Sequence, residues 1–244
     1  METATVDSRA RWRPATLRDP LPYGYVHIAV AVDPPRRPGP PFPRRSARRA
    51  ALLGRLEDLA AELRRHDAVL RATVYRAVLM PPPDDQAPHP AQFDVAVLVE
   101  TTSPATIAVV QATEPYRRLI EAVDGAARDV HVMAARCARL VGDVDKSRPG
   151  LFLFNHFAAR DADVALELRD RLAGWYEAET GLDNSTLLRP VGDADYVFVN
   201  HARWDRSLPR LMLEQFAKPS FWTYVRAGLR ANRTVAMPIL YRLA

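Results

Sequence analysis

Asp195-Tyr-Val-Phe-Val-Asn-His-Ala-Arg-Trp204 is the stretch on which the fold reading turns. Its β-branched and aromatic run, entered through the turn Gly192-Asp-Ala-Asp195, predicts a strand over 196–204. The same pattern stands earlier as Asp94-Val-Ala-Val-Leu-Val99, within a strand predicted over 93–100. The residues downstream of the two copies are alike too. Ala112-Thr-Glu-Pro-Tyr116 lies against Ala217-Lys-Pro-Ser-Phe221, and a closing strand comes at a similar distance. A spacing of about 100–120 residues is too long for a solenoid repeat and fits a duplicated small domain.

Working outward, the first copy reads as strand 25–32, a proline-rich loop 34–43 and a helix 46–66 with Leu52, Leu56, Leu59 and Leu63 on one face. Strands 72–80 and 93–100 come next, then a helix opened by Ser103-Pro104 and a strand 130–140. The second copy repeats the order. Strand 151–157 leads to helix 161–180, with Val164, Leu168, Leu172 and Trp175 on one side and Gly181 as its end. Strands 185–191 and 196–204, a helical stretch 208–231 broken at Pro219, and strand 234–243 complete it.

The predicted fold class is therefore α+β: two tandem βαββαβ ferredoxin-like units, 23–140 and 151–244, joined by a linker at 141–150 and preceded by a flexible basic arm at 1–22. Each unit places both helices on one sheet face. The other face is apolar as well, adjacent Leu153 and Phe154 being an example, so the units are expected to pack sheet to sheet as a pseudo-twofold barrel.

Composition excludes several classes. With 48% hydrophobic and 26% charged residues in 244, the chain is globular rather than disordered or fibrous. The net charge of +5 is concentrated in six arginines between Arg36 and Arg49 and in Arg9, Arg11, Arg13 and Arg18, which reads as a solubilising arm and loop rather than a nucleic-acid interface. Cys137 is the sole cysteine, which rules out an internal disulfide and a cysteine-rich zinc site. No apolar run reaches the roughly 18 residues of a membrane span, and the N-terminal residues lack a secretory signal, so a cytoplasmic protein without a membrane partner is expected. No phosphate loop, His-Glu-x-x-His run or nucleophile elbow occurs.

The second half resembles the antibiotic-biosynthesis-monooxygenase-like branch of the dimeric α/β-barrel superfamily. The resemblance is carried by Phe154-Asn-His-Phe157, by the 196–204 strand ending in Trp204, and by the broken helix Lys218-Pro-Ser-Phe-Trp-Thr-Tyr224. It covers roughly 150–244 and, more faintly, 22–140. It implies a cofactor-independent monooxygenase or a cyclase acting on an aromatic, polyketide-like small molecule, as in antibiotic biosynthesis, and leaves open a non-catalytic ligand-binding or assembly module, with a homo-oligomer also possible. Heme degraders of the group place an asparagine on the first strand, an aromatic on the last helix and a histidine ligand one to two turns later. Asn155 and Phe216 match the first two positions, but Arg226 stands where the iron ligand is expected, which counts against heme. No resident cofactor or metal is expected, with a heme-binding or heme-degrading protein kept as a further alternative.

The residues themselves point to a constellation in the second half. The first and third strands of a βαββαβ sheet are expected to lie adjacent, parallel and central. In register, that places Asn155 beside Asn200 and His156 beside His201, with asparagines on one face and histidines on the other. The asparagine amides would orient a substrate or hold a developing oxyanion, and either histidine would serve as base. Trp175, Tyr176, Trp204, Trp222 and Tyr224 would wall a flat apolar pocket, and Arg203 and Arg226 would hold a carboxylate or phenolate. Each has a plainer reading: histidines as satisfied structural residues, tryptophans as core, asparagines bonded within the protein. The first half serves as a control. Its strand ends, Val30-Ala-Val32 and Val99-Glu-Thr101, carry no Asn-His pair, so it reads as a structural partner.

Overall fold

The computed structural model describes residues 12–36, 38–82 and 86–244. Eight strands close into one antiparallel barrel in the order β1-β3-β2-β8-β5-β7-β6-β4. They are β1 (Gly24–Ala31), β2 (Val69–Leu79), β3 (Val95–Thr101), β4 (Asp129–Gly142), β5 (Leu151–Ala159), β6 (Ser185–Pro190), β7 (Phe198–Trp204) and β8 (Thr234–Leu243). Six helices cover the outside: α1 (Ala47–Leu63), α2 (Ile107–Gln111), α3 (Glu114–Ala126), α4 (Ala162–Thr180), α5 (Leu208–Phe216) and α6 (Ala227–Ala231). A π-helical turn, Phe221–Arg226, leads directly into α6.

Local chemistry explains the helix ends. Ser46 caps α1 by accepting the Arg49 amide at 3.1 Å. Asp161 caps α4 through the amides of Asp163 and Val164. Gly181 ends α4 with φ of +65°, the left-handed C-terminal stop that the sequence predicts. The helix expected from 103 breaks at Thr113, whose hydroxyl accepts the Tyr116 amide and starts α3 with Pro115 in its first turn.

Strands β1–β4 and β5–β8 each occupy one contiguous half of the barrel. The halves do not stack as two facing sheets. They join edge to edge, β2 pairing with β8 and β4 with β6, both antiparallel. Closing the ring satisfies the backbone groups that two stacked sheets would leave bare at four edges, and turns both apolar inner faces into one lumen.

That lumen is packed solid. Tyr25, Tyr75, Phe93, Phe152, Phe154, Tyr196 and Tyr241 fill it together with Met133, Ile239 and smaller side chains. A second core lies between the β1–β4 half and α1–α3, built on Leu52, Leu56, Leu59, Leu63, Leu119 and Val123. Two further clusters lie between the β5–β8 half and its helices, around Trp175, Phe198 and Phe221 and around Trp204 and Leu211.

The arm expected to be flexible through residue 22 is held from Trp12 onward; residues 1–11, with Arg9 and Arg11, lie outside the described residues. Trp12 packs on Tyr224, ring centroids 5.0 Å apart, and its Nε1 donates to Glu179. The Ala15 amide donates to the Asp170 carbonyl, and Arg18 bridges to Leu140. The Arg13 carbonyl passes so close to Gly174 that a β-carbon there would sit 1.7 Å from it. Glycine at 174 is what lets the arm lie on α4.

Candidate functional site

β5 pairs with β7, but antiparallel rather than parallel. The direction comes from chain order: the β6–β7 hairpin reverses the strand that the α4 crossover delivers. Asn155 does stand opposite Asn200, whereas His156 faces Val199 and His201 faces Phe154. The histidines therefore sit diagonally across the asparagine pair instead of side by side. Alternation along the strands still divides the four as expected, asparagines outward under the helices and histidines inward into the lumen.

On the outer face lies a cavity of about 510 Å³ between the β5–β8 sheet and the α4–α6 cover. Its sheet side carries Leu153, Asn155, Phe157, Ser185, Asn200 and Trp204; its helical side carries Arg169, Leu172, Tyr176, Phe216, Trp222 and Arg226. Leu79, Pro81 and Pro82 from the other half complete the rim. Trp222 and Phe216 are about half exposed and lie in a tilted contact with ring centroids 6.0 Å apart, marking where the cavity meets solvent. The π-helical turn brings Phe221, Trp222, Val225 and Arg226 together to line it, a geometry that a regular α-helix would spread over a different arc.

The polar floor has two parts. Asn200 Oδ1 is saturated: it accepts from Arg169 Nε at 3.2 Å, Arg169 Nη2 at 2.8 Å and Ser185 Oγ at 2.8 Å. Arg169 is buried, also donates to Ser185, and pairs with Asp170 at 3.2 Å. Burial draws its pKa below the ordinary arginine value and Asp170 opposes that shift. Asn155 Oδ1 is buried and has no hydrogen-bond partner. A carbonyl oxygen in that condition costs about 1–3 kcal/mol until a donor reaches it.

Other candidates fall elsewhere. Trp175 is buried in the core, its Nε1 donating to Ser220 Oγ at 3.1 Å. Tyr224 is buried beneath Trp12. Arg203 points from the lumen end of β7, donates to Asp205 and to the Pro149 carbonyl, and lies over the Phe152 ring at 5.8 Å. These three do not line the cavity because they occupy the wrong strand parity or the wrong helix face. Trp204, Trp222, Arg226, Asn155 and Asn200 do line it.

His156 and His201 are fully enclosed in the lumen. His156 Nε2 lies 3.1 Å from Nε2 of His27, and burial drives the His156 pKa down to about 3. His201 Nδ1 lies 3.0 Å from the Leu153 carbonyl, so it carries the proton, leaving Nε2 to accept from the Tyr75 hydroxyl at 3.5 Å. Burial holds His27 and His201 well below the ordinary histidine value. All three are neutral imidazoles on the far side of the sheet from the cavity.

Arg169 and Ser185 are the residues that sequence reasoning missed. Arg169 comes directly after Leu168 within the apolar stripe of α4, and a charge on a buried helix face is the signal that marks it. No histidine lines the cavity. Among the described residues no group of three His, Cys, Asp or Glu side chains is placed to hold a metal, and no helix is long and apolar enough to cross a membrane.

No family model matches the sequence, nor does any curated protein. Solved structures do. An anthrone oxidase-like protein superposes with a TM-score of 0.66 at 13% identity, over 95% of this chain and 94% of that one. A candidate monooxygenase from Fusobacterium nucleatum gives 0.53 at 7% identity over 93% of each chain. Another from Lactobacillus acidophilus gives 0.51 at 9% identity, over 91% and 93%. At such identities it is the backbone that is shared, a closed eight-stranded antiparallel barrel with helices on its outside.

Proposed function

We propose that the chain is a cofactor-independent oxygenase acting on a flat, aromatic, polyketide-like phenol bound in the helix-covered cavity of the β5–β8 half. The observation that carries this reading is the orphaned Asn155 carbonyl oxygen on the polar floor of an aromatic-walled cavity. A phenolic or enolic hydroxyl donating to Asn155 would satisfy it. Arg169, anchored by Asn200 and Ser185, supplies positive charge that favours ionisation at a second position of the ring system, while the hydroxyl on Asn155 keeps its proton. No carboxylate or histidine lines the cavity, so the substrate's proton leaves to water at the mouth beside Trp222 and Phe216. This replaces the direct base role expected of His156 and His201.

Anthrone, the substrate class in the name of one structural neighbour, is a suitable probe. In its oxidation the ring methylene loses both hydrogens, one atom of dioxygen becomes the new carbonyl oxygen, and the other leaves as water. Purified protein in air, with no flavin, metal or hemin added, is expected to accelerate anthraquinone formation, with one O₂ consumed per product. Asn155→Leu is expected to lose that acceleration. No acceleration by the wild-type chain over a panel of anthrones and naphthols would sink the enzymatic reading. The absence of a base from the lining favours a second reading, a ligand-binding module without turnover, for which tight binding of the same phenols without O₂ uptake is the signature. Hemin is expected to give no Soret band.

The contiguous halves β1–β4 and β5–β8 further support an origin by tandem joining of two ferredoxin-like units, with the cavity kept in the second.

A further inference from the structure

Two features of the cavity are independent of the floor. Arg226, on the helical side, is exposed and has neither a hydrogen-bond nor an ion-pair partner among the described residues. Exposed arginines are commonplace, but this one lines a cavity whose walls are mainly apolar and aromatic. The lining holds two arginines and no aspartate or glutamate, and of the two only Arg169 has a carboxylate partner, Asp170. The cavity therefore carries an uncompensated positive charge. The second feature is Tyr176, which lines the same wall, has no hydrogen-bond partner for its hydroxyl, and lies close enough to Arg226 for the guanidinium to oppose the upward pull of burial on its pKa. Arg226 and Tyr176 thus present donors with no acceptor. Across the cavity Asn155 presents an acceptor with no donor.

We propose that the ligand is an aromatic hydroxy acid, its hydroxyl donating to Asn155 on the sheet and its anionic group held by Arg226 and Tyr176 on the helical cover. The proposal rests on the cavity being the ligand site and adds the polarity of what it binds. A guanidinium and a phenol on the same cavity wall suit a carboxylate, the arginine through its planar fork and the tyrosine through a single O–H donor. A second ionised phenol on the ligand would offer the same negative charge, and a matched ligand pair separates the two sources. One polar end directed to each wall also fixes which edge of the flat ring system faces the sheet, something apolar walls alone leave free.

The test is equilibrium binding, which needs no turnover. Quenching of tryptophan fluorescence, with Trp204 and Trp222 in the lining, is measured with a dihydroxyanthraquinone and with the same ring system bearing one carboxyl group. The carboxylated ligand is expected to bind about 10- to 100-fold tighter, the range of a charge-assisted hydrogen bond. Arg226→Gln, a surface change that leaves the fold intact, is expected to bring the two ligands to equal affinity. Tyr176→Phe is expected to reduce the preference in part. Asn155→Leu is expected to weaken both ligands while preserving their ratio. Equal binding of the two ligands to wild-type protein overturns this proposal alone, as does a preference that survives Arg226→Gln. A preference that tracks the number of ionised phenols rather than the carboxyl overturns the assignment to a carboxylate. Failure of both ligands to bind overturns it together with the site reading beneath it.

Discussion

The most demanding consequence of the structure concerns acid. His27, His156 and His201 are fully enclosed in the barrel lumen, and each is held neutral by burial, with its pKa well below that of an exposed histidine. The unfolded chain exposes them near pKa 6.5. Below that pH the unfolded state binds three protons that the folded state refuses, so stability is intact above the unfolded pKa and falls as pH drops beneath it. For a histidine that stays neutral when folded, the loss is about 0.8 kcal/mol at pH 6.0 and about 1.4 kcal/mol at pH 5.5. Three together give about 2.5 and about 4.3 kcal/mol, a large share of a typical domain's stability. His131, also held low by burial though Asp195 opposes the shift, acts in the same direction. Two carboxyls raised by burial, Asp94 and Glu177, act against it by taking up protons in the folded state. The carboxylates held low by hydrogen bonds or arginines, Asp33, Asp145, Asp205 and Glu214, titrate below this window and leave it undisturbed.

Urea unfolding monitored by tryptophan fluorescence at pH 7.0, 6.0 and 5.5 measures the loss directly. His156→Phe, which keeps an aromatic ring beside Phe93 and Tyr196, is expected to remove about one third of the slope. A free energy flat to within 1 kcal/mol between pH 7.0 and 5.5 would refute the reasoning. So would a slope unchanged in the His156→Phe protein.

Three further outcomes test other parts of the structure. Lys146 and Glu100 form a buried pair at 2.9 Å near the linker end of the barrel; Lys146→Met leaves the carboxylate only the longer contact with half-exposed Arg71 at 3.5 Å and is expected to cost about 2–4 kcal/mol, most of it recovered in the double variant with Glu100→Gln. Gly174→Ala drives a methyl into the Arg13 carbonyl, so limited proteolysis is expected to cut between residues 12 and 18 in the variant but not in wild type. Asn200→Leu deprives Arg169 and Ser185 of their shared acceptor and is expected to lower stability by about 2–3 kcal/mol, whereas Asn155→Leu, losing no hydrogen bond at its carbonyl, is expected to cost almost nothing in a thermal melt.

Much of the framework is legible from residues alone because it rests on local chemistry. The alternating strand through Asn200, the Ser-Pro start at 103, the glycine stop at 181 and the break near Pro219 all depend on neighbours within a few residues. Strand direction and partner depend on the whole chain. An Asn-His pair in β5 and another in β7 suggest like beside like, but antiparallel pairing aligns only the residues about which the register is centred. That residue pair is Asn155 and Asn200, and every position one step away is reversed. The same holds for Trp175, Tyr224 and Arg203, whose residue types suit a pocket while their helix face or strand parity sends them elsewhere.

By sequence the first half is only a structural partner, because it lacks an Asn-His pair, yet His27 of its first strand meets His156 at 3.1 Å across the lumen. A single polar residue in an apolar strand reads as incidental until closure of the barrel brings a second one opposite. The Nδ1 atoms of both His27 and His156 have no side-chain or backbone partner at hydrogen-bond geometry, and neither does the Tyr25 hydroxyl elsewhere in the core. These unsatisfied groups lie in the tightly packed core, away from the cavity, so they weaken the fold without serving a ligand that could reach them. The two faces of β5 therefore hold polar groups of different consequence. On the outer face an unpaired oxygen borders empty volume, and occupancy can relieve it. On the inner face unpaired nitrogens border only protein, so no ligand reaches them and only opening of the barrel, which admits water, relieves them.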